Sequence, residues 1–158
     1  MEYLKIQELL LELLPQWNYK IAKPFKQLQD EGVSLEMYYC IKTLQWGGGM
    51  MTMSELGRYT KMPKQQMTKM VNRLVELEFV KRVYEPSDRR IIKIKLTDTA
   101  QNYLDHFVEH DASCFRPLLD TMSGEDIAIF QKSLEQLLDV FSRLPCECEE
   151  EKHSDEEQ

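Results

Sequence analysis

The sequence lacks the features of a membrane or secreted protein. No apolar run approaches the roughly 18 residues that a bilayer-spanning helix requires. The leucines of segment 1–15 are interrupted by Glu and Lys, and no basic start precedes them. We therefore expect no signal peptide, no membrane partner and a cytoplasmic location. Without an export signal, the four cysteines are expected to be reduced thiols.

The sequence also lacks the usual residues of an enzyme active site. It has no glycine-rich phosphate loop and no Cys-x-x-Cys pair, and its three histidines are His106, His110 and His153. These residues offer no obvious acid–base set, so the sequence favours a binding protein that uses no cofactor. An activity that used His106 or His110 stays open as an alternative.

Charge is distributed unevenly along the chain. The 158 residues carry a net charge of −7, yet residues 58–95 hold eleven basic and four acidic side chains, a local charge of +7. With 42% hydrophobic and 30% charged residues, the chain has the composition of a globular protein. A basic block inside an acidic chain is the electrostatic pattern expected of a DNA-binding module.

Residues 63–77 predict an amphipathic helix, because apolar side chains recur at helical spacing on one side. The opposite side carries six side chains that can each donate a hydrogen bond: Gln65, Gln66, Thr68, Lys69, Asn72 and Arg73. This side contains no Asp or Glu before Glu76. Arg and Lys pair with guanine edges, and Asn and Gln pair with adenine edges. In an isolated helix a solvated polar face would be the simpler interpretation. The neighbouring segments therefore decide between a solvated face and a face that contacts DNA.

The segment before this helix predicts a helix-turn-helix. Thr52 and Glu55 have the spacing of a capping box, which would open a short helix over 53–59. Residues 60–62 then form a turn that leads into the helix at 63–77. Two helices joined by such a turn place the second one in the major groove of DNA.

The segment after this helix predicts a β-hairpin wing. The apolar period changes from 3.6 to 2, which indicates strands over 80–85 and 91–96. The turn between them carries Arg89 and Arg90. An arginine at such a tip suits a narrow A·T-rich minor groove, where the negative potential is strongest.

Helical segments at both ends of the chain predict an interface with a second subunit. The helix predicted over 2–30 has a long apolar stripe with Pro15 and Pro24 inside it, so kinks or a break are expected. The last helix repeats its apolar residues from 127 to 144 at alternating spacings of 3 and 4, a coiled-coil-like pattern. Too little chain lies near the first stripe to cover it. Packing on its own domain is the alternative to a dimer.

These segments predict four parts of the chain. They are an N-terminal dimerisation helix at 1–33, a winged helix-turn-helix DNA-binding domain at 34–97, C-terminal dimerisation helices at 98–144, and an acidic, disordered tail at 145–158. The first C-terminal helix begins after Thr97, and Pro117 is expected to bend or end it.

The chain resembles the MarR (multiple-antibiotic-resistance regulator) family of winged helix-turn-helix regulators, and the resemblance extends to about Leu144. The residues that carry it are Ser54-Glu55-Leu56, Thr68 with Val71 and Arg73-Leu74, Val80 to Arg82, Asp88-Arg89-Arg90, and Leu96-Thr97-Asp98. The chain departs from the family pattern at Glu78, where glycine is usual. A positive φ there would strain a glutamate.

The resemblance implies the fold and the function. The fold is mainly α with a small β-hairpin wing, in the order helix, helix, short strand, helix-turn-helix, wing, helix, helix, and it forms an intertwined homodimer. The function is that of a transcriptional regulator that binds pseudo-palindromic double-stranded DNA. We expect a repressor that a small aromatic ligand releases.

The resemblance also assigns roles to individual residues. Base-edge candidates are Gln65, Thr68, Lys69 and Asn72, and Gln66 and Arg73 would contact bases or phosphates. Phosphate candidates are Arg58, Lys61, Lys64 and Lys93. Arg89 or Arg90 would enter the minor groove, with Asp88 bracing Arg90.

Three further interpretations stay open beside this assignment. Trp17, Tyr38 and Tyr39 could line a ligand pocket, although such aromatics are more often core residues. His106 and His110 lie four residues apart and could share a metal in a metal-responsive regulator of the same fold; a solvated polar face is the simpler interpretation. The third interpretation is a winged helix that binds a protein and never touches DNA.

Overall fold

The computed structural model describes residues 2–27, 32–107 and 112–144. The chain divides into two compact units. Unit 1 comprises Met1–Ser34 and His106–Gln136, and unit 2 comprises Leu35–Asp105 and Leu137–Gln158. The predicted tail at 145–158 and His110 lie outside the described residues.

The described part of the chain is mainly helical with one small sheet. Its elements are α1 (Glu2–Trp17), α2 (Lys23–Gln27), α3 (Leu35–Trp46), β1 (Met50–Thr52), α4 (Met53–Thr60), α5 (Lys64–Glu76), β2 (Val80–Tyr84), β3 (Ile92–Leu96), α6 (Asp98–His106), α7 (Arg116–Leu119) and α8 (Gly124–Arg143). The predicted fold class, mainly α with a hairpin wing, is confirmed.

Unit 2 is built around an antiparallel sheet with the strand order β1-β3-β2. Ile94 of the central strand pairs with Met51 on one side and Arg82 on the other, and its side chain is fully buried. The other large side chains of the unit that are fully buried come from three helices that pack together: Cys40, Ile41 and Leu44 of α3, Leu56 of α4, and Val71 and Leu74 of α5. This core fixes the orientation of α5.

The helix-turn-helix forms as the sequence predicts. The capping box is present, because Glu55 N donates to Thr52 Oγ1 at 3.1 Å and Thr52 N donates to Glu55 Oε2 at 2.9 Å. Helix α4 ends at Lys61, which adopts a left-handed conformation with φ 53°. Pro63 then caps α5 with its carbonyl, which accepts from Met67 N at 2.9 Å. Proline is tolerated here because the first turn needs no N–H donor.

Hydrogen bonds from one threonine, Thr97, stabilise the junction between α5 and the wing. Glu78 follows α5 and adopts the left-handed conformation, with φ 61°, although its residue type is strained there. Thr97 Oγ1 donates to the Glu78 carbonyl at 2.5 Å, and Thr97 N donates to the Phe79 carbonyl at 3.0 Å. The same hydroxyl accepts from Ala100 N at 3.3 Å in the first turn of α6. One side chain therefore joins the end of α5, the end of β3 and the start of α6.

Replacing Glu78 by glycine should stabilise the protein, because an L-residue pays about 1–2 kcal/mol in the left-handed region and glycine does not. The greater freedom of glycine in the unfolded chain offsets part of this gain. The expected net increase in the free energy of unfolding is about 0.5–1 kcal/mol, measured by urea denaturation. Glu78→Ala is the control, since it removes the charge and keeps the strain. Equal stabilities of the two variants would contradict the prediction.

Unit 1 is held together by aromatic contacts. The Phe25 ring meets Phe107 edge-on with centroids 5.6 Å apart, and it stacks on Phe115 at 6.0 Å. A π-helical stretch, Asn18–Ala22, separates α1 from α2. Helix α1 itself continues through Pro15 to Trp17, so the predicted kink at this proline stays a prediction.

The prediction for Pro117 is wrong. The sequence predicts that Pro117 bends or ends the helix that begins after Thr97. Helix α6 instead ends at His106, a 3₁₀ turn follows at Ala112–Phe115, and Pro117 lies in the first turn of α7. A proline is tolerated in that turn, where its missing N–H has no partner to lose. It therefore begins a helix rather than ending one.

Two helices leave apolar side chains uncovered. In α1, Ile6, Leu10 and Leu13 are each about half exposed, and α8 buries no residue. In the described part of α8 the exposed apolar residues include Ile127, Leu137 and Phe141. A helix with an apolar stripe normally buries it against another element. Among the described residues no helix combines the length and apolar character needed to cross a bilayer.

Candidate nucleic-acid interface

The outward face of α5 carries the six predicted DNA-contacting side chains, and all six are exposed: Gln65, Gln66, Thr68, Lys69, Asn72 and Arg73. The opposite side of the helix is anchored by Met67, Val71 and Leu74, which are buried. The hydrophobic face of an amphipathic helix thus fixes the direction in which the polar face points. The predicted division of this helix into two sides is confirmed.

Two of these six side chains already make contacts within α5. Thr68 Oγ1 donates to the Lys64 carbonyl at 3.0 Å, so the hydroxyl hydrogen is used within the helix and the oxygen remains available as an acceptor. Arg73 Nη1 pairs with Glu76 Oε2 at 2.9 Å. This ion pair draws Arg73 toward the end of the helix and offsets its charge, so Arg73 is a weaker base-contact candidate than Lys69.

Asn72 is bonded to the wing. Arg82 Nη2 of β2 donates to Asn72 Oδ1. Arg82 as a whole is half-buried, and it lies on the same side of the hairpin as Ile94, with which it pairs. The sequence alone predicts no such role for Arg82, because the two residues are ten apart and belong to different elements. Strand alternation is the one available signal, since it directs Arg82 toward the helix side of the sheet.

The wing tip holds Arg90 in a fixed position. Arg90 Nε and Nη2 donate to the two carboxylate oxygens of Asp88 at 3.1 and 3.2 Å, and Arg90 N donates to Asp88 Oδ1 at 3.0 Å. The remaining guanidinium donors point away from this contact, and the Arg90 side chain is 91% exposed. Arg89 is exposed as well and makes no such contact among the described residues. The predicted bracing of Arg90 by Asp88 is present in this geometry.

The contact between Arg90 and Asp88 should affect the pKa of Asp88. Hydrogen bonds from the Arg90 side chain and backbone lower the pKa of the Asp88 carboxyl below its ordinary value. Because the pKa of Asp88 is lower in the folded than in the unfolded protein, the contact contributes its full stability at pH values above the unfolded-state pKa. That stability is lost as the pH falls through the folded-state pKa. We expect the NMR-monitored pKa of Asp88 to rise in Arg90→Ala and to stay low in Arg89→Ala. The same pKa in all three proteins would contradict the brace.

The predicted phosphate-binding residues differ in their surroundings. Arg58, Lys61 and Lys64 are exposed around the helix-turn-helix turn. Lys93 instead donates to Glu85 Oε2 at 2.7 Å, and this hydrogen bond raises the pKa of Lys93. Its charge is therefore partly satisfied inside the hairpin, and Glu85 is a partner that the sequence alone does not reveal.

A groove brings several predicted residues together. It has a volume of about 910 Å³ and is bordered by the start of α4, the start of α5 and the wing turn. Its cationic lining residues are Arg58, Lys64 and Arg90, and Thr68 lies beside them. The helix-turn-helix and the wing thus contribute cationic side chains to one groove. Gln65, Gln66, Lys69 and Asn72 lie outside this groove, on the exposed face of α5.

Two lysines oppose each other on the outer face of the wing. Lys81 of β2 pairs directly with Lys95 of β3, and both side chains are exposed. Among the described residues neither takes part in an ion pair. Like charges in directly opposed positions destabilise a hairpin by a few tenths of a kcal/mol, up to about 1 kcal/mol.

The candidate sensor residues are placed as follows. Tyr38 is half-buried, and burial raises its pKa, while Tyr39 and Trp17 are 50% and 40% exposed. Cys40, the neighbour of Tyr39 in α3, is completely buried, and burial raises the pKa of its thiol to about 12. In the described ranges, no three His, Cys, Asp or Glu side chains form a group that could hold a metal. His106 ends α6.

Comparisons with known proteins identify the relatives of this chain. Residues 40–91 match the model of the MarR family. The chain is 31% identical over 123 residues to the uncharacterized HTH-type transcriptional regulator YsmB of Bacillus subtilis, an alignment that covers 73% of this chain and 84% of YsmB.

Solved structures share the fold. A crystal structure of a mutant E. coli MarR complexed with operator DNA matches with a TM-score of 0.57 at 20% identity, covering 82% of this chain and 93% of that one. BpsR of Bordetella bronchiseptica, whose DNA binding is regulated by 6-hydroxynicotinic acid, matches with a TM-score of 0.59 at 14% identity, covering 81% and 97%. Because it has the helix-turn-helix and the wing and is 31% identical in sequence to YsmB, the chain belongs to the MarR family of winged-helix transcriptional regulators.

Proposed function

We propose that this regulator is a cytoplasmic homodimeric repressor that binds a pseudo-palindromic DNA operator and leaves it when a small aromatic ligand binds. One observation carries the DNA-binding part. The exposed face of α5 has no carboxylate before Glu76 and borders a groove lined by Arg58, Lys64 and Arg90. Such a surface attracts phosphates and places hydrogen-bond donors at base edges.

The proposed docking follows from the local geometry. The polar face of α5 enters the major groove, where Gln65, Thr68, Lys69 and Asn72 approach base edges. Arg58, Lys61 and Lys64 contact phosphates. Arg90, held by Asp88, enters the adjacent minor groove. The operator complex of E. coli MarR supports this arrangement by analogy of fold.

The proposed homodimer explains the uncovered helices. The stripes on α1 and α8 would pair with their counterparts in a second subunit and so leave water. Accordingly, residues 1–33 and 98–144 would form the dimerisation part and residues 34–97 the DNA-binding part. Two-fold symmetry then places the two copies of α5 about 34–36 Å apart, one turn of B-DNA.

The proposed ligand would be an aromatic molecule, for which Tyr38 and Tyr39 of α3 are the candidate contacts in unit 2. Support comes from the regulation of BpsR by 6-hydroxynicotinic acid and from Tyr39, a large aromatic residue that is 50% exposed in this chain. The aromatic rings of Tyr38 and Tyr39 offer stacking surfaces to such a molecule. A fluorescence screen of aromatic acids against the protein–DNA complex tests this part separately.

Selection of bound sequences from random duplex DNA tests the function as a whole. The expected product is an inverted repeat with half-site centres one helical turn apart. Affinity for that product should fall steeply as salt is raised from about 50 to about 200 mM, because each neutralised phosphate releases counterions. No enrichment by the wild-type protein, or an affinity that does not change with salt, would contradict DNA binding and favour a protein-binding winged helix.

A further inference from the structure

The contact between Arg82 and Asn72 determines which way the Asn72 amide faces. A guanidinium has only donors, so the amide atom that meets Arg82 Nη2 must be the oxygen, as the structure has it. The Asn72 amide nitrogen, with its two hydrogens, is the group left for an outside partner. Asn72 lies one helical turn after Thr68 on the exposed face of α5, which is the face proposed to enter the major groove.

We propose that Arg82 sets the base preference of Asn72, making it a hydrogen-bond donor to guanine or thymine instead of a bidentate partner of adenine. This inference rests on the proposed DNA-binding function and deepens it. Arg82 is thus a positioning residue: it need not touch DNA to affect which base is chosen.

The chemistry of the base edges supports this preference. In the usual Asn–adenine pair the amide oxygen accepts from N6 while the amide nitrogen donates to N7. Here the oxygen faces a charged donor, and charge-assisted hydrogen bonds are stronger than those between neutral groups. Guanine presents two acceptors, N7 and O6, and thymine presents O4. Both suit an amide whose nitrogen is free and whose oxygen is already engaged by a charged donor.

The strand that carries Arg82 is firmly placed. Arg82 pairs with Ile94 in the sheet register, and Ile94 is fully buried at the centre of unit 2. Asn72 is held by the neighbouring core residues Val71 and Leu74, which are also fully buried. The donor, Arg82, and the acceptor, Asn72, therefore lie on elements that pack against one core. The orientation of the Asn72 amide is thus set before DNA binds.

Sequence selection with a set of variants tests the inference. Wild-type protein should enrich guanine or thymine at one position per half-site, and Asn72→Ala should lose that preference. Arg82→Met should raise adenine at that same position by at least tenfold relative to the wild type. Arg82→Lys keeps a charged donor and should restore the wild-type base. Lys81→Met is the matched control, because it removes a neighbouring exposed charge without touching Asn72.

Asn72→Asp gives a second test that does not depend on removing Arg82. The carboxylate still accepts from Arg82, but it offers an acceptor outward, so preference should move toward bases with an amino group, cytosine or adenine. Adenine at the Asn72-dependent position of the wild type would overturn the inference, as would an unchanged motif for both Arg82→Met and Asn72→Asp. Absence of any enriched motif with the wild type would instead count against the proposed DNA binding.

Discussion

Replacing Arg90 by alanine is expected to weaken operator binding by about 1.5–3 kcal/mol per half-site, the range for a hydrogen bond to a charged partner. The reason is the geometry of the wing tip, where Asp88 engages Nε and Nη2 and leaves the other donors aimed outward from a 91% exposed side chain. A pre-oriented cation loses little entropy on entering a minor groove. Titration of a fluorescent operator at several salt concentrations measures the effect, and the salt slope should fall by about one per half-site.

Two neighbours provide controls for Arg90. Arg89→Ala removes the same charge from the adjacent side chain, which Asp88 does not hold. It should reduce the free energy of operator binding clearly less than Arg90→Ala does. Asp88→Asn keeps the arginine but removes the carboxylate that orients it, so affinity should fall while the salt slope stays unchanged. Equal losses for Arg89→Ala and Arg90→Ala would show that the tip acts only through its total charge.

Replacing Leu10 by glutamate is expected to dissociate the proposed dimer and to reduce operator affinity more than a hundredfold. Leu10 is 54% exposed in the single chain, so the fold of unit 2 should not depend on it. In a dimer the same position would bury an unpaired carboxylate, at a cost of several kcal/mol. Sedimentation velocity measures the change in mass. A titration of operator DNA measures the loss of affinity that is expected when a single subunit contacts only one half-site.

Gln16→Glu is the matched control for Leu10. It adds the same charge to α1, on the side of the helix that carries Lys5 and Glu12. It should leave both mass and affinity unchanged. A Leu10→Glu protein that remains a dimer would exclude the α1 stripe as the interface.

The sequence is informative wherever one element determines its own structure. The division of α5 into buried and exposed sides follows from apolar spacing alone. The Thr52–Glu55 capping box depends on residues three apart. In each case the determining interactions lie within a few residues of the chain.

The parts that the sequence does not reveal depend on contacts between elements. Neither the Arg82–Asn72 bond nor the Lys93–Glu85 pair can be found without knowing the strand register and the angle of α5 to the sheet. The wrong prediction for Pro117 has a related cause. A proline either breaks a helix or opens one, and the outcome depends on where the preceding turn ends.

The opposed lysines of the wing, Lys81 and Lys95, give ionic strength two contrary effects on this protein. Dissolved ions compete with the protein for the phosphates of DNA and so loosen the complex. The same ions screen the repulsion between the two ammonium groups within a Debye length of about 10 Å at 0.1 M and so tighten the hairpin. The wing hairpin should therefore be most stable at high ionic strength and least stable in dilute buffer.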